Sequence, residues 1–488
     1  MRPGLSKSKL TAFAQCPRRL WLQVHRPDLA TTNAAREERL AGGDRVGAEA
    51  CRQCPGGVMV HARPNLAAAV ATTRALIEGG HEAPIFEATF EHDGVLVRCD
   101  VLTPDGAGGW HMAEVKSSTK AKDEHRGDLA TQLWVARGAG VTVSSAAIRH
   151  LDRSFVLERE GDFTGVFADT DLSADLDAEL AAVPALIADA RVMLAGPVPD
   201  AIPGDQCTAP YDCEFTAHCH AQLPPGPEWP VTLLPNGSGR KWRAAGIIDL
   251  LALDNADLTG NARRVHAATV SGRVEHDPIG AAAAMAGWAY PRTWLDFETI
   301  ALPLPRWVGT RPYDQVPFQF TAIVEDGQGG EAMREFLQLD GSDPRRACAE
   351  ALASLPKEGA VIAYSAAFEA GVLRGLAAAF PDLAPALESL AARLVDLLPV
   401  TRAHWYHRDQ RGSWSIKKVL PTIAPTMNYE ALEVKHGGEA QEAFLEAIAL
   451  DCAPDRRTAL DSALRVYCGQ DVEAMRIIAR ALLVQDGF

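Results

Sequence analysis

No uninterrupted apolar run in this sequence is long enough to cross a bilayer, which excludes an α-helical membrane span and a membrane partner as readings of it. The opening, Met1-Arg2-Pro3-Gly4-Leu5-Ser6-Lys7-Ser8, lacks the apolar stretch of a secretory signal, so a cytoplasmic location is expected. Basic residues are in deficit: 48 Lys and Arg stand against 63 Asp and Glu, a formal net charge of -15. That balance excludes a protein that coats nucleic acid by bulk attraction, because neutralising phosphate needs clustered Lys and Arg. It leaves open an enzyme that gathers carboxylates around metal ions and receives a polyanion through local basic patches. There is no repeat of fixed period and no long low-complexity tract, so an array of small units is excluded as well.

What is there is ordinary globular material, 47% hydrophobic and 23% charged, in 488 residues. That length suggests two to four domains, each able to bury its own core. The 10 cysteines are expected to be reduced thiols in a cytoplasmic setting, so their placement matters more than their number. Cys16 stands near the start, Cys51 and Cys54 form a C-x2-C, and Cys207, Cys213 and Cys219 form a C-x5-C-x5-C. Cys99, Cys348, Cys452 and Cys468 are scattered, and each reads as a small buried hydrophobe.

Two short helices are predicted between Leu5 and Leu29, broken at Cys16-Pro17 because proline is tolerated only near a helix start or at a kink. Further helices are expected over Ala34 to Ala50 and over Asn65 to Gly79, the latter stopped by Gly79-Gly80. Short apolar runs at 85–90, 95–102 and 110–115 read as a sheet meander, followed by a helix near 129–136 and a strand at 146–151. An Ala/Leu-rich helix is expected over Ser173 to Leu194 with Ser173 as N-cap, and a boundary falls near residue 225 after a Pro- and Cys-rich stretch. The next segment, 226–288, is expected to be a helical connector. Its Arg240, Lys241, Arg243 and Ala244-Ala245-Gly246-Ile247 fit either a helix-hairpin-helix-like grip on phosphate or solvated charges on a plain linker. From Trp294 onward, strands at 294–299, 319–324, 333–339 and 359–364 with a helix at 343–353 describe another α/β domain, in which helices continue to residue 485.

In Glu114-Val115-Lys116, residues i and i+2 of a strand share a face, so a carboxylate and an ammonium enter one pocket, which Asp100 can reach from the neighbouring run. Two carboxylates hold a divalent ion, and a lysine can orient water or offset charge on a phosphate. Asp100, Glu114-Val115-Lys116 and Gln132 resemble the PD-(D/E)xK nucleases, more narrowly their RecB-like branch with its CRISPR-associated members. That branch often has a Glu or His on an early helix, for which Glu49 is the match; its usual tyrosine after the Gln is missing from Gln132-Leu133-Trp134-Val135-Ala136. Nucleases of this type and AddB-like ones bind a [4Fe-4S] cluster through one cysteine before the core and three after it. The resemblance thus implies a cluster on Cys16, Cys207, Cys213 and Cys219, soft thiolates that select iron–sulfur or zinc over hard ions. The rival is a zinc site recruiting Cys51 and Cys54 with His218 or His220.

Leu295-Asp296-Phe297-Glu298-Thr299 sets two acids on one face of a strand and two apolar residues on the other. With Tyr364-Ser365-Ala366-Ala367-Phe368-Glu369 and Tyr467-Cys468-Gly469-Gln470-Asp471, this resembles the DEDD exonucleases, DnaQ-like in fold and RNase H-like in core. Tyr467 and Asp471, four apart, share a helix face. Glu369 departs from the family's Asp by one methylene. Ser413-Trp414-Ser415-Ile416-Lys417-Lys418 resembles a segment of an uncharacterised bacterial family that joins this kind of domain to a RecB-like half. The resemblance implies Lys417 or Lys418 on phosphate and Trp414 stacked on a base; a solvated basic turn with a core Trp fits the same residues.

Together these features predict a multidomain α/β protein. Its parts are a restriction-endonuclease-like PD-(D/E)xK core with iron–sulfur cysteines over 1–225, the connector, and an RNase H-like DEDD 3′–5′ exonuclease over 289–488. The implied activity is Mg2+- or Mn2+-dependent phosphodiester hydrolysis at two sites, on DNA rather than RNA. The competing expectations are an RNA-processing exonuclease, or a nucleic-acid scaffold in which one nuclease fold is inactive.

Overall fold

The computed structural model describes residues 4–31, 34–63 and 65–484, with backbone only for 34–40. Residue 485 and residues 1–3, on which parts of the sequence reading fall, lie outside the described residues. The chain is a multidomain α/β protein of two compact units, one comprising residues 1–224 with 302–313 and the other 225–301 with 314–488. Among the described residues, no helix is long and apolar enough to cross a membrane.

The first unit is built on a seven-stranded mixed sheet. Its strands are β1 (Leu5–Ser6), β2 (Val58–Met59), β3 (Ile85–His92), β4 (Val95–Pro104), β5 (Trp110–Lys116), β6 (Val143–Leu151) and β7 (Phe167–Asp171). Their order is β2-β3-β4-β5-β6-β7, with β1 paired in parallel to β4. The β3–β4 hairpin turns on Asp93-Gly94, both at positive φ (46° and 65°), as a two-residue turn matched to strand twist requires. Pairing is antiparallel from β3 to β5 and parallel from β5 to β6, the crossover being the helix Asp123–Gly138. Leu129, Leu133 and Val135 of that helix are buried in the same core as Val183, Ile187 and Leu194 of the helix Asp177–Ala195. The opening helices, Lys7–Gln15 and Pro17–His25, meet at Cys16, whose extended backbone (φ -161°) lets Pro17 begin the second.

One expectation is corrected here. Ser173 does not cap a helix, which starts four residues later at Asp177. Its hydroxyl instead accepts the Ala146 N–H at 2.9 Å, because β7, absent from the sequence reading, pairs with β6 and the chain must turn at its end.

In the second unit a two-stranded ribbon pairs β8 (Glu275–His276) with a late strand, and the main sheet has five strands. These are β9 (Arg292–Ile300), β10 (Val316–Glu325), β11 (Glu331–Leu337), β12 (Val361–Ala363) and β13 (Leu394–Asp396), in the order β11-β10-β9-β12-β13. The β9–β10 and β10–β11 pairs are antiparallel, whereas β9–β12 and β12–β13 are parallel. The ribbon partner is β14 (Trp405–Tyr406). Leu295, Phe297 and Phe320 from the sheet pack with Leu352, Leu373 and Leu387 from the covering helices. The helix Pro454–Leu483, 30 residues long, buries Leu464, Tyr467, Asp471 and Met475. Residues 225–301 belong to this unit. Arg240–Ala244 is a single helical turn, followed by 3-10 turns at Leu250–Ala252 and Asn255–Asp257 where a helix-hairpin-helix would need a second helix.

Candidate functional sites

In the first unit the antiparallel register of β4 and β5 sets Val101 opposite Ala113 and so brings Asp100 beside the Glu114–Lys116 end of β5. Asp100 Oδ2 accepts the Val115 N–H at 2.7 Å. Glu114 is buried; its Oε1 accepts Lys7 Nζ at 2.5 Å and Lys116 Nζ at 2.8 Å, and Gln132 Nε2 donates to its Oε2. Lys116 also reaches Asp128 Oδ2 at 3.1 Å, and Thr11 donates to Asp128 Oδ1 at 2.6 Å. The structure therefore gathers Asp100, Glu114, Lys116 and Gln132 in one pocket and adds Lys7 and Asp128, which the sequence reading missed. Asp128 lies one helical turn before Gln132, a signal that was available; Lys7 arrives from 107 residues away with no local signal.

Glu49 is buried, but its oxygens accept both Arg52 nitrogens and Gln53 Nε2, each at 2.7 Å. Its carboxylate is thereby satisfied within its own helix end.

The two acids of this pocket are driven apart. Burial and the Glu114 charge push the Asp100 carboxyl up to about 8, against the pull of Lys7. Burial would also raise Glu114, but the Lys7 and Lys116 ammoniums outweigh it and hold the carboxyl down at about 2. One acid is thus pushed toward its protonated form and the other toward its ionised form, the pattern of an acid–base site or of a cation site in which lysine supplies the charge.

Cys16, Cys207, Cys213 and Cys219 line one pocket of the same unit. Gln15 Nε2 ties the early helix to the carbonyls of Gln206 and Tyr211 at 2.7 and 2.6 Å, and a buried Arg19–Glu214 ion pair at 2.8 Å closes the same seam. The Cys51 and Cys54 side chains pack elsewhere, against Phe86, Val101 and Ala113, so the rival set of zinc ligands is not assembled.

In the second unit Asp296 and Glu298 of β9 meet Asp471, with one ligand oxygen from each within 4.8 Å of the others; among the described residues this is the set of three or more potential metal ligands so spaced. Burial, then Asp471, Glu298 and Glu369, pushes Asp296 well above the ordinary carboxylate range. Burial and Asp471 raise Glu298 to about 8, against Lys417. Glu369 is raised to about 7 by burial and by Asp396, and its Oε2 is buried with no hydrogen-bond partner among the described residues. A trio of closely spaced acids in mutual repulsion, two of them buried and Asp296 half-buried, is relieved by protons or by a divalent cation, and an all-oxygen donor set suits Mg2+ or Mn2+.

Tyr429, missed in the sequence, donates to Asp471 Oδ1 at 2.6 Å. Lys417 Nζ donates to the Tyr467 hydroxyl at 2.9 Å and to the Lys435 carbonyl at 2.6 Å, and it lies over the Tyr467 and Tyr429 rings at 4.8 and 4.9 Å. Lys417 is thus an internal member of this site, whereas Lys418 is exposed. Asp396 accepts the N–H groups of Ser365, Ala366 and Leu398, which fixes the start of the helix that carries Glu369.

Trp414 corrects the base-stacking expectation. It is 5% exposed, and its indole N–H donates to the Trp405 carbonyl at 2.8 Å while its ring packs on Tyr406. A ring so little exposed belongs to the core. Trp414→Ala is expected to cost about 3–5 kcal/mol of stability, read as a lowered denaturation midpoint; loss of nucleic-acid affinity at unchanged stability would contradict the core assignment.

The raised carboxyls carry a pH dependence. Folded Glu298 keeps its proton to about pH 8, whereas the unfolded chain releases it near 4.5. Between those values folding takes up a proton, so the metal-free protein loses stability as pH rises. A divalent ion binds the ionised acids and displaces that proton, so its stabilising effect grows over the same window. Melting in EDTA and in Mg2+ from pH 6 to pH 8.5 should show the two curves diverging; a magnesium shift independent of pH would count against the trio as its site.

Residues 293–415, which hold all but the first residue of β9, the strands β10 to β14 and the Glu369 helix, match a family described as a domain of unknown function (DUF2779). Over 219 residues the chain is 28% identical to an uncharacterized protein, MG366 homolog, of Mycoplasma pneumoniae. The match covers 40% of this chain and spans 32% of that relative's length. Among solved structures, one titled "Crystal structure of SSO0001" is similar over 45% of this chain and 87% of that one, at 16% identity and a TM-score of 0.23.

Proposed function

We propose that this chain is a metal-dependent nuclease that hydrolyses phosphodiester bonds of DNA. The observation that carries the reading is the closely spaced trio of half-buried Asp296 with buried Glu298 and Asp471, beside which stand Tyr467 and Lys417. The strand order β11-β10-β9-β12-β13, three antiparallel strands followed by two parallel ones, supports an RNase H-like exonuclease core. The meander β3–β5 with a helical crossover to β6 supports a restriction-endonuclease-like core in the first unit.

Asp296, Glu298 and Asp471 would hold the ion, with Glu369 beside them. A bound Mg2+ or Mn2+ supplies Lewis acidity and a water acidic enough to attack near neutral pH. Tyr467, whose hydroxyl accepts from Lys417, would orient an attacking water, and the Lys417 ammonium would offset negative charge developing on the phosphate. In the first unit Lys116 and Gln132 position the Glu114 carboxylate, and Asp100 is the neighbouring acid. We assign a [4Fe-4S] cluster to Cys16, Cys207, Cys213 and Cys219 as a staple between the two ends of that unit. Their sulfurs share a pocket, yet no three of them fall within 4.8 Å of one another among the described residues. Four thiolates on a single zinc would stand about 3.8 Å apart, given Zn–S bonds of about 2.3 Å.

A second reading, in which the first unit only grips nucleic acid, is favoured by one observation: Lys7, Lys116 and Gln132 occupy both Glu114 oxygens. End-labelled single-stranded DNA and RNA, digested in Mg2+ by wild type, Asp100→Ala and Asp296→Ala, separate the readings. Loss only in Asp296→Ala supports one active site, loss of distinct products in each supports two, and no loss in either removes the nuclease assignment.

A further inference from the structure

Neither carboxylate site and no part of the thiolate pocket uses Cys51 and Cys54. They sit at the end of the helix Ala34–Arg52, both half-buried, where Cys54 N–H donates to the Cys51 carbonyl at 3.0 Å. A turn closed by that i to i+3 bond keeps its end Cα atoms within about 7 Å, and disulfides span Cα separations up to about 6.8 Å. The two side chains pack on the same wall, Phe86, Val101 and Ala113. Arg149 Nη1 donates to Cys54 Sγ at 3.6 Å, the kind of cationic neighbour found beside reactive cysteines.

We propose that Cys51 and Cys54 are a peroxide-sensitive dithiol in which Cys54 is the attacking sulfur and Cys51 the resolving one. Cys54 thiolate attacks a peroxide oxygen; the O–O bond breaks, the leaving oxygen takes a proton and departs as water, and Cys54 becomes a sulfenic acid. Cys51 sulfur then attacks Cys54 Sγ. The S–S bond forms, the S–O bond breaks, and the hydroxyl leaves with the Cys51 proton as a second water. Two thiols and one hydrogen peroxide thus give one disulfide and two waters. The wall that this pair shares with Val101 and Val115 also carries Asp100, Glu114 and Lys116 in the same strands, so the state of the dithiol bears on the packing behind that pocket.

The test uses the full-length protein, reduced, then treated with hydrogen peroxide, alkylated without reductant and digested with trypsin. Trypsin cuts after Arg45, Arg52 and Arg74 but not at Arg63-Pro64, so the two cysteines fall in separate peptides, 46–52 and 53–74. The expected product is one disulfide-linked species of these peptides, absent from the untreated sample. Cys51→Ser is expected to leave a sulfenic acid on Cys54 that dimedone traps. Arg149→Gln is expected to form the linked species severalfold more slowly. Recovery of both peptides separately alkylated after peroxide, or of either joined to a peptide carrying Cys16, Cys207, Cys213 or Cys219, would overturn the proposal. So would dimedone labelling confined to Cys51 in a Cys54→Ser variant that reacts as fast as wild type.

Discussion

Asp296→Asn should lower Mg2+-dependent strand cleavage by about 10²–10³-fold or more, the range seen when a preorganised transition-state contact is removed, while leaving the fold intact. The substitution is nearly isosteric, and in the metal-free protein the Asp296 carboxyl is already held toward its protonated form by burial and by Asp471 and Glu298. An amide in the same place therefore costs little in stability. What it removes is one anionic ligand of a closely spaced trio, and an ion needs that charge to displace the protons now shared among the acids. Cleavage rate and melting temperature measured on the same preparation check both halves. A variant with wild-type cleavage would place the chemistry elsewhere in the chain, and an unfolded one would call for Asp471→Asn, which the same argument covers.

Cys207→Ser should abolish the brown colour of anaerobically purified protein and lower the melting temperature by about 5–15 °C. A cross-link that closes a long loop contributes about 2–4 kcal/mol, and in a domain of this size each kcal/mol is worth about 2–4 °C. The proposed cluster would join Cys16, at the break between the first two helices, to the segment Cys207–Cys219, whose cysteines line the same pocket. Gln15 and the Arg19–Glu214 pair hold the same seam in its absence, so partial rather than complete loss of structure is expected. Colourless wild-type protein with stoichiometric zinc would replace the cluster with zinc at the same thiols. Unchanged stability in Cys207→Ser would remove the staple altogether.

Local signals in the sequence were read well where the physics is local. Asn65 and Gly79 bracket the helix Leu66–Glu78 and Pro17 marks a helix start, because caps depend on few neighbours. β1, β2, β7, β8, β13 and β14 escaped notice, being short strands specified by what they pair with rather than by their own pattern.

For the sites, the sequence by itself determined the chemistry on offer. Period-two spacing puts Asp296 with Glu298, and Glu114 with Lys116, on single strand faces, and a four-residue step puts Tyr467 with Asp471 on one helix face. Only the tertiary structure decided which of these groups meet and what satisfies them. It brought Lys7 onto Glu114, Tyr429 onto Asp471 and Lys417 between two tyrosine rings, and it buried Trp414 in the core. Those contacts join residues far apart in the chain, so their energies depend on burial and on long-range charge, which no local window of sequence contains.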